Sequence, residues 1–193
     1  MQPAPGAPPL TPADVLDVLV HAAAANPRGL SRNELTVRND AGLYYSTRAG
    51  FGVPDALVAV QLAANRTARW VPANVQAPLI VDHPNVARGG TVFDAHVAAN
   101  GTVTWAAATL GLEFGDCALS HVTSIVLESP AGTMVQVFHA TRTWGVASLP
   151  ELEFPTRGFH GEAAAGTWRV HLQHRCAFGI LFTAVSRVEV QVV

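Results

Sequence analysis

The sequence predicts a mainly β protein, in which an antiparallel β-sandwich of the jelly-roll type follows a short helical segment. Before about residue 71, apolar residues recur every three or four positions, as on one face of a helix. After that point they alternate with polar residues in short segments, most of them separated by Gly, Pro or Asn. Seven or eight such strands are typical of a sandwich. We therefore divide the chain into residues 1–70 and residues 71–193.

The helical part contains two candidate helices. Thr11 and Pro12 begin the first, because a hydroxyl side chain caps a helix well and proline fits its first position. The second follows Pro54, with Asp55 near its positive N-terminal end, and Gly50 and Gly52 permit a tight turn before it. The apolar residues of the first helix are Val15, Leu16, Val18, Leu19 and Val20, and those of the second are Ala56, Leu57, Val60, Leu62, Ala63 and Ala64.

The alternating pattern predicts strands over residues 91–97, 102–110, 123–128, 133–139, 167–173, 178–184 and 186–193. Within one of them, Trp168, Val170 and Leu172 alternate with polar residues, which places Trp168 in the core. The helical part is too short and one-sided to form a domain. Its apolar stripe therefore needs a partner, either a sheet outside this chain or the apolar face of the sandwich, including Trp70, Trp105 and Trp168.

Composition excludes several classes of function. The chain has 193 residues, of which 49% are apolar and 13% charged, so it forms a core and is not a disordered tail. With a formal net charge of −2 and scattered basic residues, it has no predicted nucleic-acid partner. No apolar run reaches the roughly 20 residues of a membrane helix. The Pro-rich start is not a signal peptide, so any targeting sequence is expected upstream of Met1.

Three segments resemble a known family when they are taken in order. They are AGFGVPDA at residues 49–56, SPAGT at 129–133 and FHGEAAAGTW at 159–168. Together they resemble the C-terminal part of kexin- and furin-like proprotein convertases, namely the last helices of the subtilisin-type catalytic domain and the P (Homo B) domain. His160 stands where that family usually has Trp. The residues that carry the motifs, and to which the resemblance assigns a structural or interface role, are Gly50, Phe51, Gly52, Asp55, Ser129, Pro130, Gly132, Thr133, Gly161, Glu162, Gly166 and Trp168.

The resemblance implies a calcium-dependent endoprotease of the secretory pathway that cleaves precursor proteins after paired basic residues. In such a protease the P domain packs against an upstream catalytic domain and stabilises it. Catalysis needs a Ser–His–Asp triad, and neither the "GTSxAxP" nor the "HGT" context occurs in this chain. We therefore expect no catalytic residue and no cofactor here, with calcium bound by the full-length enzyme. The alternative is a stand-alone sandwich that acts as a binding or regulatory module without protease activity.

Other candidate sites are few. Cys117 and Cys176 could form a disulfide or be two buried thiols. Asn65 and Asn100 begin N-glycosylation sequons, and Asn100 lies in a predicted turn. Glu162, next to Gly161, is interpreted as a buried hydrogen-bonding group or an interface contact.

No metal site is predicted. His171 and His174 are three positions apart on a strand and so face opposite sides. Four acidic residues could in principle bind calcium, but the sequence favours their interpretation as solvated charges at strand edges. They are Asp94, Glu113, Asp116 and Glu128.

Overall fold

The computed structural model describes residues 9–24, 36–66, 73–80, 90–113, 122–139, 148–174 and 187–192. These ranges contain two helices and ten strands. In chain order they are α1 (Pro12–Ala24), β1 (Thr36–Arg38), β2 (Tyr44–Ser46), α2 (Ala56–Asn65), β3 (Ala73–Ile80), β4 (Gly90–Val97), β5 (Val103–Glu113), β6 (Val122–Glu128), β7 (Met134–His139), β8 (Ser148–Thr156), β9 (Gly166–His174) and β10 (Arg187–Val192).

Both helices begin where the sequence predicts. At α1, the backbone N–H of Asp14 donates to Oγ1 of Thr11 at 3.2 Å, and the Asp14 carboxylate accepts from the backbone N–H of Thr11 at 2.7 Å. This reciprocal pair is a capping box. At α2, Oδ1 of Asp55 accepts from the backbone N–H groups of Leu57 and Val58 at 2.9 and 3.1 Å. Gly50 and Gly52 before it have φ of 60° and 99°, which only glycine adopts readily.

Eight strands form one antiparallel sheet in the order β7-β6-β9-β4-β3-β10-β5-β8. Strand β3 divides it, because Ala73 to Pro78 pair with β10 whereas Leu79 and Ile80 pair with β4. The two outermost strands come together through Phe138 and Phe154, whose ring centroids lie 5.7 Å apart. The sheet therefore folds over on itself as a sandwich with four strands in each half.

One hydrophobic core lies between the two halves. Phe93, Leu127 and Trp168 contribute from the half that contains β4, β6 and β9, and Leu110 and Val190 contribute from β5 and β10. Trp168 is fully buried, donates from Nε1 to the carbonyl oxygen of Ala164 at 2.9 Å, and meets Phe159 edge-on at 4.9 Å between centroids. The prediction that the chain is a mainly β sandwich with Trp168 in its core is confirmed.

Most predicted strands are present with bounds shifted by a few residues, and the segment 178–184 lies outside the described residues. The sequence missed β3 and β8, which contain prolines. Strand β8 lies at the edge of the sheet, where proline costs no ladder hydrogen bond, and Pro78 of β3 falls where pairing passes from β10 to β4. The short β1–β2 hairpin was also missed.

The sandwich, one of the two partners considered for the apolar stripe of the helices, leaves part of that stripe uncovered. Val15 and Leu19 of α1 are exposed, and no residue of α2 is buried. The inner face of α1 instead carries Asp14 and Asp17 beside Val18, Val20, Ala22 and Ala23. Trp168 lies between the two halves of the sandwich and Trp105 is half-buried, so neither offers an apolar outer surface, and Trp70 lies outside the described residues.

In the part of the chain that the structure describes, neither helix has the length and apolar character that a membrane crossing requires.

Candidate functional site

Beside the packing of Val37 and Tyr45 against the core, the helical segment meets the sandwich at a polar region, which we call the junction. It comprises Asp17 and His21 of α1, Asn39 after β1, and His160 and Glu162 in the turn between β8 and β9. His160 and Glu162 are buried, although polar side chains of this size are seldom buried without partners. The junction is therefore held by specific hydrogen bonds and ion pairs.

The turn over residues 157–162 is fixed to the first residue of β5. The backbone N–H of Gly161 donates to the carbonyl of Val103, and the N–H of Val103 donates to the carbonyl of Glu162, both at 2.8 Å. Gly161 has φ of +85°, and a Cβ there would lie 2.8 Å from Cβ of Ala41. Glycine is thus required both for the backbone conformation and for the close approach of the helical segment.

Asp17 is the centre of the charged part of the junction. Its Oδ1 lies 2.8 Å from Nε2 of His160 and 3.2 Å from Nδ1 of His21, and its Oδ2 lies 2.6 Å from Nη1 of Arg66. Burial alone would raise the pKa of Asp17, but the hydrogen bonds from His160, His21 and Arg66 outweigh it and hold the pKa well below its usual range. Arg66 also lies 3.3 Å from Oδ1 of Asp14, so one guanidinium serves both carboxylates of α1.

His21 lies at the rim of the junction. Its Nδ1 is 2.9 Å from the backbone oxygen of Asp17, one helical turn earlier, and 45% of its side chain is exposed. The hydrogen bond to the Asp17 carboxylate raises the pKa of His21 above its ordinary value, although burial opposes the shift. The ring of His160, in contrast, is fully buried and meets the ring of His21 edge-on at 5.9 Å.

Asn39 ties the β1–β2 hairpin to the same turn. Its Nδ2 donates to the carbonyls of Gly158 and His160 at 3.1 and 2.9 Å, while its Oδ1 accepts from the N–H of Leu43 at 2.8 Å. Tyr45 of the hairpin packs against Gly158, where an added Cβ would lie 2.9 Å from Cδ1 of the tyrosine. The hairpin is therefore built against the sandwich.

Glu162 joins three parts of the chain. Its Oε1 accepts from the backbone N–H of Asp40 at 2.9 Å and from the hydroxyl of Thr133. Its Oε2 is buried and makes no hydrogen bond within the described residues. Asp40 and Thr133 also line an open cleft of about 440 Å³ between the hairpin and the β6–β7 turn.

Some of the other motif residues contact the junction directly or lie in the β6–β7 turn next to it. Phe51 is buried in a small cluster with Val20 and Leu43, and its ring meets that of His160 edge-on at 6.0 Å. Ser129 to Thr133 form the β6–β7 turn, closed by the N–H of Ser129 donating to the carbonyl of Thr133 at 2.9 Å. Pro130 of this turn lies against Gly166, where a Cβ would approach to 2.7 Å.

Comparison with known proteins shows that the chain is similar in fold to a solved protein. No protein-family model matches the chain, and no curated protein matches it. A crystal structure of the serine protease of Aeromonas sobria matches with a TM-score of 0.79 and 19% identity over 96% of this chain. The same protease in complex with its chaperone matches with a TM-score of 0.75 and 18% identity over 95% of this chain.

The chain shares its fold with part of this solved serine protease. It spans about two fifths of the solved protease, 41% in the first structure and 40% in the second. At these identities the likeness concerns the fold alone.

The remaining candidates lie away from the junction or outside the described residues. Asn65 and Asn100 are exposed, at the end of α2 and before β5. Cys117 and Cys176 lie outside the described residues, so their pairing stays a prediction. His171 is half-buried and His174 buried, on opposite faces of β9.

Of the residues considered for calcium, Asp94 and Glu128 are both paired with a basic side chain. Arg169 of β9 lies between Asp94 and Glu128, 3.4 and 2.8 Å from their carboxylates, and His171 contacts Glu128 as well. A cation held between these carboxylates would have to displace the guanidinium. The side chain of Glu113 and all of Asp116 lie outside the described residues.

Sequence reasoning missed the roles of Asp17, His21 and Asn39. The available signal was the i, i+4 spacing of Asp17 and His21 on a predicted helix, which places both on one face. Nothing local connects that face with His160, 143 residues away from Asp17.

The junction holds the helical segment in a fixed position on the sandwich. The His160 ring is fully buried, so it does not face a substrate. Among the described serines, the hydroxyls of Ser46, Ser124 and Ser129 are hydrogen-bonded to Arg48, Gln173 and Thr133. The arrangement fixes the two helices against the sandwich and leaves their opposite side facing outward.

Proposed function

We propose that this chain is the non-catalytic C-terminal portion of a kexin- or furin-like serine endopeptidase. Residues 1–70 are then the last helices of its subtilisin-type catalytic domain, and residues 71–193 are the P (Homo B) domain. The sandwich stabilises the catalytic domain by holding these helices in place. The serine-protease-related fold and the three motifs of the sequence support this proposal.

The apolar outer face of the helices carries the proposal. Leu57 and Val60 of α2 are 68% and 53% exposed, and Val15 and Leu19 of α1 are exposed as well. Helix α2 has no buried residue, although eight of its ten residues are apolar. A helix of this composition is stable in water when a partner covers it, because burying each large apolar side chain contributes about 1.5–3 kcal/mol.

A subtilisin-type catalytic domain fits this face. The matching solved protease is about two and a half times as long as the part that this chain covers. In the proposed protein, the upstream residues form the sheet and helices that cover α1 and α2. The alternative partner is the sandwich of the same chain. It contacts the opposite side of α1, where His160 lies against Asp17.

Three further features belong to the proposal. The Ser–His–Asp triad and the calcium sites lie in the upstream catalytic domain. The substrates are precursor proteins with basic cleavage sites. The protein works in the secretory pathway or outside the cell.

The first experiment is to map the 5′ end of the transcript and read the codons that precede Met1. We expect an in-frame catalytic domain with Asp and His motifs and a "GTSxAxP" serine. If the transcript begins at Met1 and contains no such sequence, the proposal fails. A stand-alone binding or regulatory module is then the remaining function.

The second experiment tests the apolar face in the full-length product. We expect Leu57→Asp and Val60→Asp each to lower the yield of active protease severalfold, because a carboxylate would be buried against the catalytic domain. Val92→Asp is the matched control, since Val92 is similarly exposed on β4 of the sandwich. Equal yields from the three variants would show that this face is not an interface.

The same three substitutions in the isolated 193-residue chain separate docking from folding. Exposed positions tolerate substitution within about 0.5 kcal/mol. We therefore expect all three variants to keep the wild-type free energy of unfolding. A large loss for Leu57→Asp or Val60→Asp in the isolated chain would mean that the face is covered within this chain.

A further inference from the structure

Three side chains with metal-ligating atoms meet at the junction. They are Asp17 and His21 of α1 and His160 of the turn between β8 and β9, and one ligand atom from each lies within 4.8 Å of the other two. The sequence predicts no metal site, because His21 and His160 are far apart in the chain. Two imidazoles and one carboxylate form a ligand set that zinc uses in proteins.

Two of the three distances between these atoms are close to those of a tetrahedral zinc site, and the third, between the two histidine nitrogens, is at most 4.8 Å. Zinc–ligand bonds of about 2.0–2.1 Å place neighbouring ligand atoms roughly 3.3 Å apart. Oδ1 of Asp17 lies 3.2 Å from Nδ1 of His21 and 2.8 Å from Nε2 of His160. A shift of about half an ångström brings the second pair to this spacing, and the two histidine nitrogens have to approach each other by at most about 1.5 Å. Both shifts are within the reach of a side-chain rotation.

The charges nearby also permit a cation. Asp14 and Asp17 together with Arg66 carry an excess of one negative charge when both imidazoles are neutral. Arg66 contacts Oδ2 of Asp17, which leaves Oδ1 as the atom that faces the two histidines. The guanidinium then has the role of an outer partner that orients the ligating carboxylate.

The cluster reaches solvent at His21. His160 is fully buried and Asp17 nearly so, whereas 45% of the His21 side chain is exposed. An ion can enter past His21, and a water molecule can complete its coordination from the same side. Three protein ligands and one open position are the arrangement of an open zinc site.

We propose that Asp17, His21 and His160 bind one zinc ion, which links α1 to the turn between β8 and β9. Coordination replaces the hydrogen bonds of the two imidazoles to Oδ1 of Asp17 and the contact of Nδ1 of His21 with the backbone oxygen of Asp17. Each ring binds as a neutral imidazole that keeps one proton on its other nitrogen, and the second proton of an imidazolium goes to solvent. The ion thereby fixes the helical segment on the sandwich. This inference is independent of the proposed protease function, because it concerns only contacts within the chain.

The test is zinc binding by the purified 193-residue chain after removal of metals with a chelator. We expect one zinc ion per chain, a higher thermal unfolding midpoint with zinc, and visible absorption of tetrahedral Co²⁺ without a thiolate charge-transfer band. The absence of that band distinguishes this site from binding at Cys117 or Cys176. A chain that binds no zinc, or whose Co²⁺ spectrum is octahedral or dominated by thiolate, would overturn the proposal.

Two variants localise the site. His21→Gln removes an exposed ligand and leaves the buried contact between Asp17 and His160 in place. Because loss of a group that merely supports a ligand costs roughly 10–100-fold in metal affinity, we expect at least that loss. The control is His96→Gln, which changes an exposed histidine on β4 and leaves binding unchanged. Equal zinc affinity in wild type and His21→Gln would show that the three groups form a hydrogen-bonded cluster only.

Discussion

Nε2 of His160 lies 2.8 Å from Oδ1 of Asp17, although 143 residues separate them in the chain. The contact connects the only face of α1 that is buried with a turn of the sandwich. Arg66, at the end of α2, binds the other oxygen of the same carboxylate at 2.6 Å. The two helices and the sandwich are thus joined through one aspartate.

Trp168→Ala should lower the free energy of unfolding by roughly 3–5 kcal/mol, because it leaves a large cavity between the two halves of the sandwich. Urea unfolding followed by circular dichroism measures the change. Met134→Ala is the control, since Met134 is exposed on β7 and should change stability by less than about 0.5 kcal/mol. An unchanged transition in Trp168→Ala would contradict the position of Trp168 in the core.

Gly161→Ala should destabilise the chain by more than Gly132→Ala. Both glycines have φ near +86°, which costs an alanine roughly 1–3 kcal/mol. A Cβ at Gly132 meets nothing within 4 Å, whereas one at Gly161 lies 2.8 Å from Cβ of Ala41. The difference between the two variants measures the contact with the helical segment. Adding Ala41→Gly to Gly161→Ala should remove that difference and leave the cost of the backbone conformation.

Glu162→Ala should lower the free energy of unfolding by roughly 1–3 kcal/mol, because two donors lose their buried acceptor. Glu162→Gln keeps an acceptor oxygen and should cost less. A double-mutant cycle with Thr133→Val then gives the coupling of the two side chains. Additive effects in that cycle would mean that the hydroxyl of Thr133 does not contribute to holding Glu162.

Asn39→Ala should loosen the β1–β2 hairpin and cost roughly 2–4 kcal/mol, since each buried polar group left unpaired costs about 1–3 kcal/mol. Hydrogen exchange at the amides of Leu43 and Tyr45 should increase. Asn39→Asp should be at least as damaging at neutral pH, because a carboxylate would face the carbonyls of Gly158 and His160. Asn74→Ala, at an exposed position of β3, serves as the control for loss of an asparagine side chain.

Patterns of neighbouring residues predicted those parts of the fold that depend on neighbouring residues alone. The hydroxyl and carboxylate caps at Thr11 and Asp55, the glycines before α2 and the alternation around Trp168 each follow from the backbone and its nearest neighbours. Strands β3 and β8 were missed because their prolines indicate a break, and only the sheet reveals that one lies at an edge and the other at a change of partner.

The sequence by itself determined the mainly β class, the helix starts and the buried tryptophan, because these depend on periodicity and on conformational preferences of single residues. Only the tertiary structure decided which face of α1 points inward. Asp14 and Asp17 belong to a solvent-facing side by their polarity, yet they are buried because Arg66 and His160 arrive from distant parts of the chain and compensate their desolvation. The apolar residues Val15 and Leu19 face outward for the same reason, and they leave the surface on which we propose that a catalytic domain docks.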